Sequence, residues 1–192
     1  HCKALLLKSR CIENQIKIHE LLIAYLFQSG KFPEALEHVR SVLDTLGFPL
    51  PTSVDTETVR TVLEAMRNAA SGFTPEQMHA FPLMTEEVPK QAMKIMGSVP
   101  ILLTFSSPTF AAMIACQMAQ LSIQHGLCAE SAVAFGNLGF AINSVLQDFN
   151  CGYDMCNLGL AIFQRFKSNT LILKTYVPIF GFGRGWKVSY SF

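Results

Sequence analysis

Apolar residues recur at helical intervals from early in the chain. Ile18, Leu21, Leu22 and Tyr25 stand at i, i+3, i+4 and i+7, which predicts a helix with that stripe turned to the core. Gly30 closes it, because glycine accepts the left-handed cap conformation. Phe32, Ala35, Leu36, Val39, Val42, Leu43 and Leu46 carry the spacing into a second helix, which Gly47 ends and Pro49 and Pro51 keep from extending. Val59, Val62, Leu63 and Met66 line a third helix with Asp55 as its N-cap. Thr74-Pro75-Glu76-Gln77 reads as a capping box with proline at the first helical position, and Pro82 keeps that helix short.

Further on, Thr85 is placed to cap a helix holding Met93, Ile95 and Met96. Ser107-Pro108 opens another, striped by Phe110, Met113, Ile114 and Leu121 and ended by Gly126. Ala129 to Gln147 follows, rich in small residues (Ala132, Ala134, Gly136, Gly139, Ala141) that permit close helix contact. Tyr153, Cys156, Leu160 and Phe163 mark the next stripe, and Thr170 to Val177 is a last apolar segment stopped by Pro178. No period-two alternation persists before residue 171. The pattern predicts an all-α chain of about eight helices joined by short turns.

Charge changes this picture in one respect. Residues 1–94 hold 21 of the 29 formal charges and residues 95–192 hold 8, with none between Lys94 and Glu130. The second half is therefore expected to be buried, membrane-bound or covered by a partner, with residues 95–166 as the deeper core. The run at 101–123 is long enough to span a bilayer. Pro100 and Pro108 divide it, Gln117, Gln120 and Gln124 would be costly in hydrocarbon, flanking basic residues are sparse and no aromatic belt appears. A buried helix is the expectation, with a membrane-associated fragment as the alternative.

Half of the residues are apolar and the formal net charge is +1, which excludes an electrostatic nucleic-acid binder. The six cysteines, Cys2, Cys11, Cys116, Cys128, Cys151 and Cys156, form no C-x-x-C pair, and the chain is too long and apolar to be a disulfide-stapled miniprotein. A reducing, cytoplasmic location is expected. The N-terminus HCKALLLKSR shows no signal peptide and no initiator methionine, so a fragment of a longer protein is expected.

Two segments match at an offset of 117 residues: LFQSGKFPEALEHVRSVLDTLG and VLQDFNCGYDMCNLGLAIFQRF. In each a helix ends in a short turn. An aromatic follows (Phe32, Phe149), then a small residue three positions on (Ala35, Gly152), then a larger one (Leu36, Tyr153). Together with Gly30, these are the candidate repeat-packing residues. Two antiparallel helices would cross closely at the small residue, with the aromatic filling space beside the turn. Each such pair buries only part of its apolar surface and needs a neighbour.

GKFPEALEHVRSVLDTLG resembles the second helix of a tetratricopeptide-type unit. The runs LDTLGFPLP, FPLMTEEVPKQAMKIMGSVPILLTFSSPTFAAMIACQMAQLSIQHG, ESAVAFGNLGFAI and DFNCGYDMCNLGLAIFQRF resemble, over residues 12–177, the helical-repeat region of large multi-domain signalling ATPases. Those proteins join a serine/threonine kinase-like domain, a P-loop ATPase, this array, a GAF sensor and a histidine kinase. The Phe-Pro-Leu-Met-Thr element at 81–85 and the Leu-Ser-Ile-x-His-Gly element at 121–126 carry most of the likeness. The resemblance implies a right-handed array of helical hairpins, a TPR-like α-solenoid over residues 1–177, serving as a scaffold without catalytic residues. GFGRGWKVSYSF departs from it, and 178–192 is expected to be an atypical, flexible tail.

Catalytic patterns are missing from the sequence. Gly30-Lys31 lacks the glycine spacing and the Ser/Thr of a phosphate loop, and Gly181, Gly183 and Gly185 have too little chain after them to open a helix. No H-E-x-x-H or Cys/His ligand spacing occurs, and no G-x-S-x-G elbow. His19 and His38 could be neighbours across the first helical pair, without two further ligands to make a metal site. His125 reads as a donor at a helix C-terminus and Glu86-Glu87 as charge at a helix N-terminus. The methionines read as core. The sequence therefore predicts a non-enzymatic protein-interaction scaffold with no cofactor, no metal, no nucleic acid and no small-molecule substrate. Its partner would be another protein or an adjacent domain.

Overall fold

The computed structural model describes residues 12–99, 103 and 107–183. Among them are nine α-helices and no strand: α1 Ile12–Gln28, α2 Phe32–Thr45, α3 Thr56–Ala70, α4 Pro75–Ala80, α5 Glu87–Gly97, α6 Pro108–His125, α7 Ser131–Ala141, α8 Phe149–Phe166 and α9 Ile172–Tyr176. A π-helical turn, Ile142–Leu146, continues α7. A 3₁₀ turn, Asn169–Leu171, precedes α9, and a second π-helical turn, Val177–Gly183, follows it. The fold is all-α, as the periodicity predicts.

Local signals set most of the helix ends. Asp55 accepts from the Thr58 amide at 2.7 Å at the start of α3. Thr74 and Gln77 form the reciprocal capping box of α4. Gly30, Gly47 and Gly126 follow α1, α2 and α6 with φ of 71°, 83° and 96°. Gly126 has a second constraint. A Cβ there would lie 2.7 Å from the Leu83 carbonyl carbon, because the chain at 82–84 crosses directly over it. Met84 donates to Leu127 O and Leu127 donates to Pro82 O, at 2.9 and 2.8 Å. The expected cap at Thr85 is displaced by one residue. Glu86 takes the N-cap position of α5 without a side-chain bond to the helix, its carboxylate instead meeting His125 at 2.9 Å.

Two hydrophobic cores share one wall. The first gathers α1, α2 and α5 with Phe110, Ile114, Met118 and Leu121 of α6. The second gathers α3, α4, α7 and α8 with Ala112, Cys116 and Ala119 of the same helix. This double burial leaves α6 few positions for a charge, and the residues it does expose, Pro108, Gln120 and Gln124, are uncharged. Among the described residues no helix is long and apolar enough to cross a membrane. Residues 100–102 and 104–106 of the apolar run lie outside the described set.

Helix α7 is the most enclosed element and touches α5, α6, α8, α9 and the closing π turn. Its contact with α8 is backbone against backbone. A Cβ on Gly139 would lie 2.5 Å from Gly152 O, one on Gly152 would lie 2.7 Å from Gly139 O and collide with the Asn143 amide oxygen, and one on Gly159 would lie 2.9 Å from Gly136 N. The order of these contacts makes the pair antiparallel. Hairpins α1–α2 and α7–α8 pack as sequence neighbours, while α3 on α6 and α4 on α8 join helices far apart in the chain. Arg165 secures the second of these long-range contacts, donating to Met78 O and Phe81 O at 2.8 and 2.7 Å.

Three expectations are corrected. The buried face of α1 is Ile16, Ile23, Leu26 and Phe27, whereas Leu21 and Tyr25 are exposed. On α8 the buried face is Gly152, Met155, Cys156, Gly159 and Ile162, with Tyr153, Leu160 and Phe163 only half-buried. Both helices are apolar around more than half their circumference, so periodicity admits two registers and the neighbours choose. Last, Pro178 does not stop the terminal segment. The chain widens into the π turn, and Ile179 is fully buried with its side chain 3.0 Å from where a Gly136 Cβ would stand. Helical structure thus continues past residue 177 to Gly183, with Ile179 packed in the interior, and residues 184–192 lie outside the described set.

Replacing Gly152 by alanine is expected to lower stability by about 3 kcal/mol, because the backbone oxygen of Gly139 has nowhere to retreat. Gly72→Ala, with nothing within 4 Å of the added methyl, is expected to stay within about 0.5 kcal/mol of wild type. Urea unfolding midpoints of the two variants check this.

Candidate functional site

The seven repeat-packing residues fall into two places. Phe32 and Phe149 are each the first residue of their helix, α2 and α8. Ala35 is fully buried, and Leu36 packs partly buried against the first core. Phe32 is 40% exposed, its ring 5.9 Å from that of Phe27. Gly30 is exposed in the turn. In the second unit Gly152 is buried at the α7–α8 crossing, with Phe149 and Tyr153 half-buried. The structure does not bring the two sets together, since one borders each core. Ala35, Leu36 and Gly152 pack within two separate hairpins, while Gly30 has nothing packed against it.

Burial of its other face leaves α1 with an apolar surface toward solvent. Leu21 and Tyr25, four residues apart and so on one face, are 66% and 61% exposed. Between α1 and α2 a groove of about 440 Å³ has Leu22 and Leu26 in its lining, with Glu34, Glu37, His38 and Ser41. At the bottom of the hairpin His19 Nδ1 lies 3.0 Å from His38 Nε2, with ring centroids 5.0 Å apart. The neighbour relation anticipated for these histidines is therefore a direct hydrogen bond, and burial lowers the pKa of His19.

A charged cleft of about 440 Å³ was not legible in the sequence. Lys17 and Glu20 of α1, Lys94 of α5, Glu130 before α7 and Lys174 of α9 converge there. Burial raises the Glu20 carboxyl above its usual range. Lys174, Lys94 and Lys17 oppose that shift and Glu130 adds to it. Four separate elements contribute these side chains, so no local spacing could have announced them. The cleft holds mixed charge that links the first helix to the last.

A cleft of about 480 Å³ at the start of α8 contains Asp148, Asp154 and Cys151. Burial and then the two aspartates push the Cys151 thiol up to about 11. Burial takes Cys116 and Cys128 to about 12. A thiol so shifted holds almost no thiolate, the nucleophilic form, at neutral pH. Asp148 is engaged as the N-cap of α8, accepting from the Cys151 amide at 3.0 Å, and meets Arg67 at 3.5 Å. Among the described residues no group of three or more His, Cys, Asp or Glu could hold a metal ion. Gly181 and Gly183 lie in the closing π turn, without the preceding strand a phosphate loop needs.

No family model matches the chain, and neither a curated protein nor a solved structure is significantly similar to it.

Alkylation at pH 8 followed by per-cysteine mass spectrometry tests the thiol environments. In the folded chain Cys116 and Cys128 are expected to remain unlabelled, and Cys151 to react on the order of a hundredfold more slowly than an ordinary thiol. All three should react freely in urea. Rapid labelling of Cys151 in the folded chain would instead mark a nucleophile.

Proposed function

We propose that this chain is a non-catalytic helical-repeat scaffold that binds a protein partner or an adjacent domain. In this reading it belongs to the TPR-like region of a cytoplasmic signal-transduction ATPase or sensor kinase, its hairpins forming part of a solenoid. One observation carries the proposal. Helix α1 leaves Leu21 and Tyr25 in solvent on one face while burying Ile16, Ile23 and Phe27, and Phe32 at the start of α2 is also part exposed. A helix with two apolar faces at the end of an array is built to be covered twice. Exposed aromatic and leucine side chains near a groove are also the residue types that anchor protein interfaces. The aromatic first residue of both α2 and α8 supports the repeat assignment. The raised thiols and the engaged Asp148 support a role without catalysis.

A photo-crosslinking residue in place of Tyr25, introduced into the protein in its native host, tests the reading. Adducts mapping to one protein segment are expected at position 25, and none from the same residue at the exposed position 120 of α6. Lipid adducts alone would favour membrane association, and an absence of adducts at position 25 would overturn the scaffold assignment.

A further inference from the structure

We propose that the charged cleft bordered by α1, α5 and α9 binds a small phosphate-bearing polyanion, such as a diphosphate group, through Lys17, Lys94 and Lys174. The cleft has a volume of about 440 Å³, inside the range of about 300–1,000 Å³ usual for small-ligand sites. Three ammonium groups reach it from three helices, and Glu20 and Glu130 are the carboxylates beside them. Its lining thus carries more positive than negative charge.

These charges do not cancel one another by contact. Elsewhere on the surface, pairs close to ion-pair distance, Lys90 on Glu87 at 2.9 Å and Lys31 on Glu34 at 3.7 Å. Among the described residues no ion pair joins Lys17, Lys94 or Lys174 to Glu20 or Glu130. The lysines act on Glu20 only through space, and burial still holds its carboxyl above the usual range. Glu130 is packed against α5 by its stem, whose Cγ lies 3.2 Å from where a Gly97 Cβ would stand. Lys94 and Lys174 are half-buried, and an ammonium withdrawn from water is stabilised most by an anion in direct contact.

The lining also selects the kind of anion. It contains no arginine, the residue whose planar fork matches a carboxylate. Separate point charges arriving from three helices suit a tetrahedral group with oxygens in several directions, and two linked phosphates reach all three more readily than one. Among the described residues no aromatic ring lines the cleft, so it offers no stacking platform for a nucleobase. Ile16 and Leu171 supply aliphatic walls and Thr170 a hydroxyl. Lys17 and Leu21 stand one turn apart on α1. A bound anion therefore braces the helix that carries the exposed Leu21 and Tyr25, although the site does not depend on what covers those residues.

Titration of the whole chain with inorganic pyrophosphate, at fixed ionic strength, tests this by calorimetry and by amide NMR. Saturable one-site binding is expected, with shifts at Lys94, Glu130 and Thr170–Lys174 and none in α3. Lys94→Gln and Lys174→Gln should each weaken binding by roughly tenfold or more. Lys90→Gln, on α5 but paired with Glu87, should leave it within roughly twofold. Glu20→Gln, which removes a repelling charge, should tighten it by roughly threefold. If a cleft variant does not fold, the wild-type shift map still decides. A titration that does not saturate, shifts that bypass the cleft, or equal affinity in folded Lys94→Gln and Lys174→Gln would each overturn the site. A phosphoserine peptide binding more tightly than pyrophosphate would overturn the small-ligand assignment.

Discussion

The close approach of α7 to α8 is the constraint from which the rest of the architecture follows. Four glycines, Gly136, Gly139, Gly152 and Gly159, remove the side chains that would hold the two backbones apart. Close contact costs helix propensity, since each glycine is worse than alanine by about 1 kcal/mol in a helix interior. The cost is offset by what surrounds the seam. Phe135 and Leu138 reach into the second core from α7, Met155, Leu158 and Ile162 reach into it from α8, and all are essentially inaccessible to water. With the seam closed, α6 has a fixed surface to pack on, and both of its sides become interior.

Two cores on opposite sides of one helix also explain where polar groups are tolerated. Ser122 and Ser131 are completely buried but bonded to each other at 2.8 Å, so neither is left without a partner. Arg40 crosses between layers with its guanidinium 4.6 Å from the Phe110 ring centre while donating to Thr52 O at 2.7 Å. The aliphatic stem lies along the first core and the charged end meets groups that can receive it.

Sequence reading succeeded where a few adjacent residues decide the outcome. Asp55, the Thr74–Gln77 box, Gly30, Gly47 and Gly126 act within one turn of chain, and each does what its type and position require. It failed where the decision is made elsewhere. From Ile16 to Phe27, α1 offers apolar residues in nearly every direction, and α2 and α5 determine which of them are covered. On α8 the aromatics attract attention, yet the face that packs is the one with the smallest side chains, because α7 presents glycines opposite. The candidate site divided in the same way. The histidine pair could be anticipated from two helices of one hairpin, but the meeting of Lys17, Lys94, Glu130 and Lys174 depends on the complete fold.

Arg165 has a consequence for the order in which the molecule can be made. Its two hydrogen bonds reach back 87 and 84 residues, to Met78 and Phe81. Helix α4, six residues long, is too short to persist by itself. While the polypeptide is still emerging from a ribosome, α4 therefore has no completed surface to settle on. Met78 stays open to water, or to a chaperone, until α8 has been synthesised, even though α3 before it can already lie on α6. A short helix from the first half of the chain is thus docked late.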